Sequence, residues 1–269
     1  MRAFRHHLAY EVQAVFRNPL SLFLAYLLPL AFFLLMGLLM TRLNPDFNTI
    51  MVPGMIVFGV MSSALLGLPG SLVAARTAGV YRTYQINGVP ITSTLIIPII
   101  TTIFQAAVLA VVIVLAAPLL ADVSLPSNWL GFIGAALAVV FALAGLGVLI
   151  GVAASSASAT VLWGQLLYGP AMVIGGVMFP GELLPADLSR VALILPATHA
   201  MRALRAAGGM AGAAGGGQSV LVLLAGGALA LLLAVRLFSW DPRQAERRHP
   251  AWLAVLAILP YAAAAVLLG

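Results

Sequence analysis

Residues 20–40 read LSLFLAYLLPLAFFLLMGLLM. No charged residue interrupts this run, and about 20 apolar residues are what a helix needs to cross the hydrocarbon core of a bilayer. In lipid, only helices and closed barrels satisfy every backbone polar group. Barrel strands alternate apolar and polar residues, and this run does not, so it is a helix. The same continuous pattern recurs at residues 52–75, 94–120, 129–154, 161–179 and 219–238, which gives six core spans. Residues 251–269 form a seventh apolar segment, and Pro260 in its middle implies a kinked or partly inserted helix. The fold class is an all-α polytopic membrane protein.

Composition agrees. Of 269 residues, 63% are hydrophobic and 7% charged, against about 25% charged in a soluble domain. The mean hydropathy is +1.12. No long stretch has the charge density of a separate soluble domain. There are no cysteines, which excludes disulfides, thiolate metal sites and cysteine nucleophiles. All 13 basic residues are arginine. The absence of lysine beside abundant Ala, Gly, Leu and Val suggests a GC-rich coding sequence and a bacterial cell membrane.

The net charge of +6 does not point to nucleic acid. The arginines sit at the ends of apolar segments, where they set orientation. With the N-terminus cytoplasmic, inner segments carry Arg2, Arg5, Arg17, Arg76, Arg82, Arg236, Arg243, Arg247 and Arg248. Outer segments carry Arg42, Arg190, Arg202 and Arg205. The nine-to-four split favours this orientation. No small-residue cleavage site follows the first apolar run, so no removable signal peptide is expected.

Residues 1–19 form a separate element. At helical spacing Phe4, Leu8, Val12, Val15 and Phe16 share one face, Arg2, His6, Gln13 and Arg17 share the other, and Glu11 lies at the edge. This is an amphipathic helix suited to the inner headgroup layer, ended by Asn18-Pro19. The inner loop 76–90 is polar and reads as a short surface helix stopped by Gly88-Val89-Pro90. The outer stretch 180–217 is too polar to span. Pro185 and Pro196 divide it into short helices at 186–195 and 197–207, a re-entrant hairpin of about 180–207, followed by a glycine-rich return. Residues 241–250 are a basic inner linker to the last apolar segment.

Several chemistries find no residues to carry them. There is no G-x-x-x-x-G-K-[ST] phosphate loop, no H-E-x-x-H and no G-x-S-x-G, so no catalytic or metal residues are assigned. His6, His7 and His249 flank surface arginines, and His199 in the outer hairpin is expected to be structural. The seven acids (Glu11, Asp46, Asp122, Glu182, Asp187, Asp241, Glu246) all lie at or beyond span ends. Ion-coupled transport places such groups inside spans, so energy for uphill transport would enter through a partner.

The chain resembles the permease subunit of ABC-2 type ABC transporters, the group with daunorubicin-resistance permeases and polysaccharide exporters. The resemblance rests on Phe179-Pro-Gly-Glu-Leu-Leu-Pro185, Leu195-Pro196 and Arg202-Ala-Leu-Arg205, with Pro180, Pro185, Pro196, Arg202 and Arg205 as the hairpin motif. It extends to Val235-Arg-Leu-Phe-Ser-Trp240 and to the inner loop Arg76-Thr-Ala-Gly-Val-Tyr-Arg82 with Gly88-Val-Pro90. It covers roughly residues 1–240. Thr77 stands where the family usually has Glu beside the loop arginine, and the seventh segment is an addition.

The resemblance implies an exporter in which ATP and Mg belong to a separate cytosolic ATP-binding subunit, with no cofactor in this chain. Arg5, Arg17, Arg76 and Arg82 would dock that subunit. A second permease, a copy or a paralogue, would pair with this one in membrane lipid. Spans two and five would line the path, through Phe58, Met61, Ser62 and Leu65 on one and Gln165, Tyr168, Met172 and Phe179 on the other. Methionine and aromatic side chains suit an amphipathic or hydrophobic solute such as a drug, lipid or glycan-like molecule. Pro170 and Gly175-Gly176 should make span five bendable. The alternative is an ATP-independent secondary transporter or channel; an intramembrane enzyme lacks its nucleophile, metal or paired-aspartate pattern, and a structural scaffold remains open but would not need the entry helix and the arginine-bearing inner loop.

Overall fold

Two of the three interior prolines of the first two spans follow a widened turn, while Pro53 sits in regular α-helix. The interior prolines Pro29 and Pro69 lack an N–H, and each ring collides with the carbonyl four residues back in a regular α-helix. The computed structural model, which describes residues 17–43, 47–120, 122–123, 125–178, 184–210, 215–240 and 251–268, widens the helix before each of them. Phe23–Leu27 and Ser62–Gly67 are π-turns. In them Leu28 N–H donates to Phe23 O and Leu68 N–H to Ser63 O. Two prolines thus sit inside long spans without ending them.

All regular structure among the described residues is helical. Six helices are long and apolar enough to cross a membrane: Pro19–Met40, Phe47–Thr77, Ile91–Leu120, Trp129–Ala153, Ala157–Ile174 and Gly216–Leu237, here spans one to six. The sequence expectation holds for all six, with shifted ends. Asn18 caps span one, its side chain accepting from Leu20 N–H at 3.0 Å and Ser21 N–H at 3.2 Å. The amphipathic segment before Arg17, including Arg5, and the linker 241–250 lie outside the described residues.

Span two is the axis of the bundle. Its most apolar window is 89% buried and that of span four 67%, against 22–33% for the other four. Side chains too small to separate backbones make this possible. A Cβ at Gly147 of span four would overlap the Ala64 carbonyl oxygen, and one at Gly164 of span five would overlap that of Leu65. Both carbonyls belong to the π-turn of span two, so the bulge is gripped from two sides by glycine contacts.

One expectation about the spans needs correction. Span five was expected to run to residue 179 and bend at Gly175-Gly176. Instead Gly175 is its C-cap, and Gly176, at φ 79°, takes the left-handed conformation that stops a helix. Those glycines terminate span five; they do not hinge it, and Phe179 lies outside the described residues. In the seventh segment Pro260 marks a change of helix type: the 3-10 stretch Ala251–Ile258 passes directly into the α-helix Leu259–Leu268 there. This C-terminal segment packs on span six, with the Tyr261 hydroxyl over Gly226.

Candidate functional site

The odd-numbered spans begin, and the even-numbered spans end, at the side of the bundle that holds Arg17 and the loop helix Val80–Ile86. Arg76 lies there but not on the surface. It is 5% exposed, and its guanidinium donates to Val152 O at 2.9 Å and to Ala154 O. These are carbonyls at the end of span four, which have no intrahelical partner. Arg76 is therefore a C-cap that ties span two to span four. Its expected place among the docking arginines is corrected by this burial.

Arg17 and Arg82 are exposed. The loop helix is anchored by Tyr81, 5% exposed, whose ring meets Phe238 beyond the end of span six at 5.5 Å. Phe238 in turn meets Trp240 edge-on at 5.0 Å. Gly79 at φ 75° and Gly88 at φ 68° bracket the helix. Between them Arg82, Gln85 and Asn87 face outward, and Ile86 is 80% exposed. The helix is thus firmly held on its Tyr81 side and exposed on the other.

The expected path residues fall into two sets. Phe58, Met61, Ser62 and Leu65 are all buried within this one chain, so this face of span two is closed and lines no open route here. Three of the eight do come together. Ser62 Oγ donates to Phe58 O at 2.9 Å and lies 3.3 Å from the Tyr168 hydroxyl, while the rings of Phe58 and Tyr168 are 6.0 Å apart. Phe32 of span one stacks on Phe58 at 4.7 Å. Met172 is buried, and Gln165 is exposed on the outward face of span five beside Leu162 and Leu166. Sequence spacing found the contact between spans two and five but not its burial.

The opposite end is closed by the hairpin, Ala186–Ala192 and Pro196–Ala207. Pro196 is buried at the first turn of the second helix, and Pro185 is exposed at the N-cap of the first. Thr198 Oγ1 donates to Ala192 O at 2.6 Å and His199 Nε2 to Leu193 O at 2.9 Å. Two side chains of the second helix thus satisfy the last carbonyls of the first. Fully buried, with Tyr261 at 6.0 Å, His199 is held below its ordinary pKa by desolvation, and the nearby Arg202 charge adds to that against the opposing Leu193 hydrogen bond. Arg202 and Arg205 are half-buried, and Pro180 lies outside the described residues. The Gly208 carbonyl then accepts from Ser127 and Asn128 N–H at 2.9 and 3.1 Å, locking the hairpin to the start of span four.

Among the described residues no three His, Asp or Glu side chains come together as a metal-binding group. Fold and ends together define a polytopic membrane protein with a presented helix at one end and a sealed hairpin at the other. A family model, ABC-2 type transporter, matches residues 2–207, and the chain belongs to that family of transporter membrane domains. The match spans the loop helix and both hairpin helices. No curated protein and no solved structure matches the chain.

Proposed function

We propose that this chain is the permease subunit of an ATP-driven exporter for an amphipathic or hydrophobic solute. A separate cytosolic subunit binds and hydrolyses the ATP. The observation that carries this reading is the loop helix, whose exposed Arg82, Gln85 and Ile86 form a mixed basic and apolar ridge held in place by Tyr81. Such a ridge transmits movement because it is anchored to the end of span six and joined to the end of span two by the two-residue turn Ala78-Gly79. In this reading the loop-helix end faces the cytosol, as the arginine distribution favours. Arg17 flanks the same surface. The outward face of span five, with Gln165, is the side offered to a second permease.

The test is co-purification. A tagged chain, extracted in mild detergent from its native host, should bring down a soluble protein with a Walker phosphate loop in stoichiometric amount. Arg82→Glu should abolish that association while the protein still inserts. A chain that purifies alone in several detergents would instead support a self-contained channel or transporter.

A further inference from the structure

Span three was not singled out from the sequence, yet it carries the largest set of buried polar side chains. Pro98, Thr101, Thr102 and Gln105 recur at three- and four-residue spacing and so share one face. All are buried, and they face a cavity of about 380 Å³ bounded by the starts of spans one and five and the second half of span two. That volume falls within the roughly 300–1,000 Å³ of small-molecule sites. The side-chain amide nitrogen of Gln105 has no hydrogen-bond partner, although the residue is only 6% exposed. A buried donor left unpaired in an apolar bundle costs about 1–3 kcal/mol, so it marks a place where an acceptor belongs.

The hydroxyls around it are of one kind. Thr101 and Thr102 both donate to Pro98 O at 2.8 Å. Ser63, Ser71 and Thr160 donate to carbonyls of their own helices at 3.2, 2.8 and 2.6 Å. Their protons point into the helices and their lone pairs remain as acceptors. The wall therefore offers several acceptors together with the side-chain amide donors of Gln105 and, at the mouth, Asn18, and no lining residue carries a charge. An ionised group would lose its hydration there without a counter-charge. A hydroxyl, which both donates and accepts, matches every side of it. Leu20, 61% exposed, and Val161, 54% exposed, form an apolar part of a rim that also holds exposed Asn18 and Ser71, so a hydrocarbon chain can leave the cavity into lipid past them.

We infer that this cavity binds a neutral, hydroxyl-rich group such as a sugar ring, with Gln105 donating to one of its oxygens. The inference refines the exporter reading by naming the part of the solute that the protein recognises, and it places that recognition inside one permease rather than between two. The ring could arrive free or as the headgroup of an amphiphile.

The test uses the full chain in phosphatidylcholine nanodiscs, with empty nanodiscs subtracted. Radiolabelled octyl glucoside below its micellar concentration should bind saturably. Gln105→Leu should weaken binding about five- to tenfold, and Thr102→Val, which keeps the shape and removes a hydroxyl, should weaken it less. Displacement by glucose alone supports a free sugar as the ligand. Displacement only by unlabelled octyl glucoside supports an amphiphile headgroup. Absence of saturable binding, equal displacement by octyl phosphocholine, or unchanged binding in both variants would overturn the inference. Binding is read without ATP. If the probe binds but no ATP-binding subunit is ever found, the exporter reading fails and the site stands. If the assembled transporter works but the probe does not bind, the reverse holds.

Discussion

The two ends of the bundle are built differently. At the hairpin end, side chains of the second hairpin helix and N–H groups at the start of span four close on the carbonyls of Ala192, Leu193 and Gly208, with Thr198 and His199 buried. At the loop-helix end one buried guanidinium, Arg76, caps span four, while Arg82, Gln85 and Ile86 face outward. Closed ends hold helices at fixed spacing. An end with a presented ridge is where another molecule can push. In a lever, one end must be stiff for the other to transmit.

The contrast can be attacked from both sides. The largest stability loss is expected from Arg76→Ala, which leaves the Val152 and Ala154 carbonyls buried without a donor; about 3 kcal/mol is expected, with partial recovery in Arg76→Lys. Thermal melting of the detergent-purified protein measures both. Gly147→Ala should cost about 1–3 kcal/mol by forcing spans two and four apart, and the same melting assay would show it. A melting point equal to that of the natural protein would mean that the bulge is not gripped as described.

At the hairpin, His199 gives a pH signature. Its folded pKa lies below the ordinary 6.5, because burial disfavours the charged ring. As pH falls the unfolded chain takes up the proton first. The stability that neutral His199 supports is full above about 6.5 and is lost as pH drops toward the folded value. The melting temperature should fall across that range, and the fall should flatten in His199→Gln. Arg202 and the Tyr261 ring are the groups that face this histidine.

The smallest stability effects are expected on exposed surfaces. Arg82→Glu should change stability by less than about 0.5 kcal/mol while removing the ATP-binding subunit from the purified complex. Gln165→Leu should leave melting unchanged and alter pairing with a second permease, read by size-exclusion chromatography of the detergent-purified protein. A large destabilisation by either would show that the presented surfaces are structural.

The spans were legible because continuous hydrophobicity over 20 residues has few other uses. Their interiors were less so. Lipid and protein core are equally apolar, so the spacing of Phe58, Met61, Ser62 and Leu65 could not tell a pathway from a packed seam. Arg76 looked like every other arginine at a span end, since its partners lie 76 and 78 residues further along the chain. Gln165 drew attention as an amide within a span, yet Gln105 is the buried one. The signal was present: Thr101, Thr102 and Gln105 are the polar positions of one helical face in an otherwise apolar run. Pro29 and Pro69 announced an irregularity, but a kink and a π-turn are alike in sequence.

The π-turn of span two has one more consequence. An extra residue in a helical turn advances the angular phase of everything after it. Phe58 on one side of Ser62–Gly67 and Arg76 on the other therefore answer to separately set clocks. Drawn into plain α-geometry with every residue kept, the helix would swing Arg76 by about 100° around the axis, away from the carbonyls it caps, while Phe58 kept its place against Phe32. The bulge is a vernier, which lets one unbroken helix meet two sets of neighbours that were never in step.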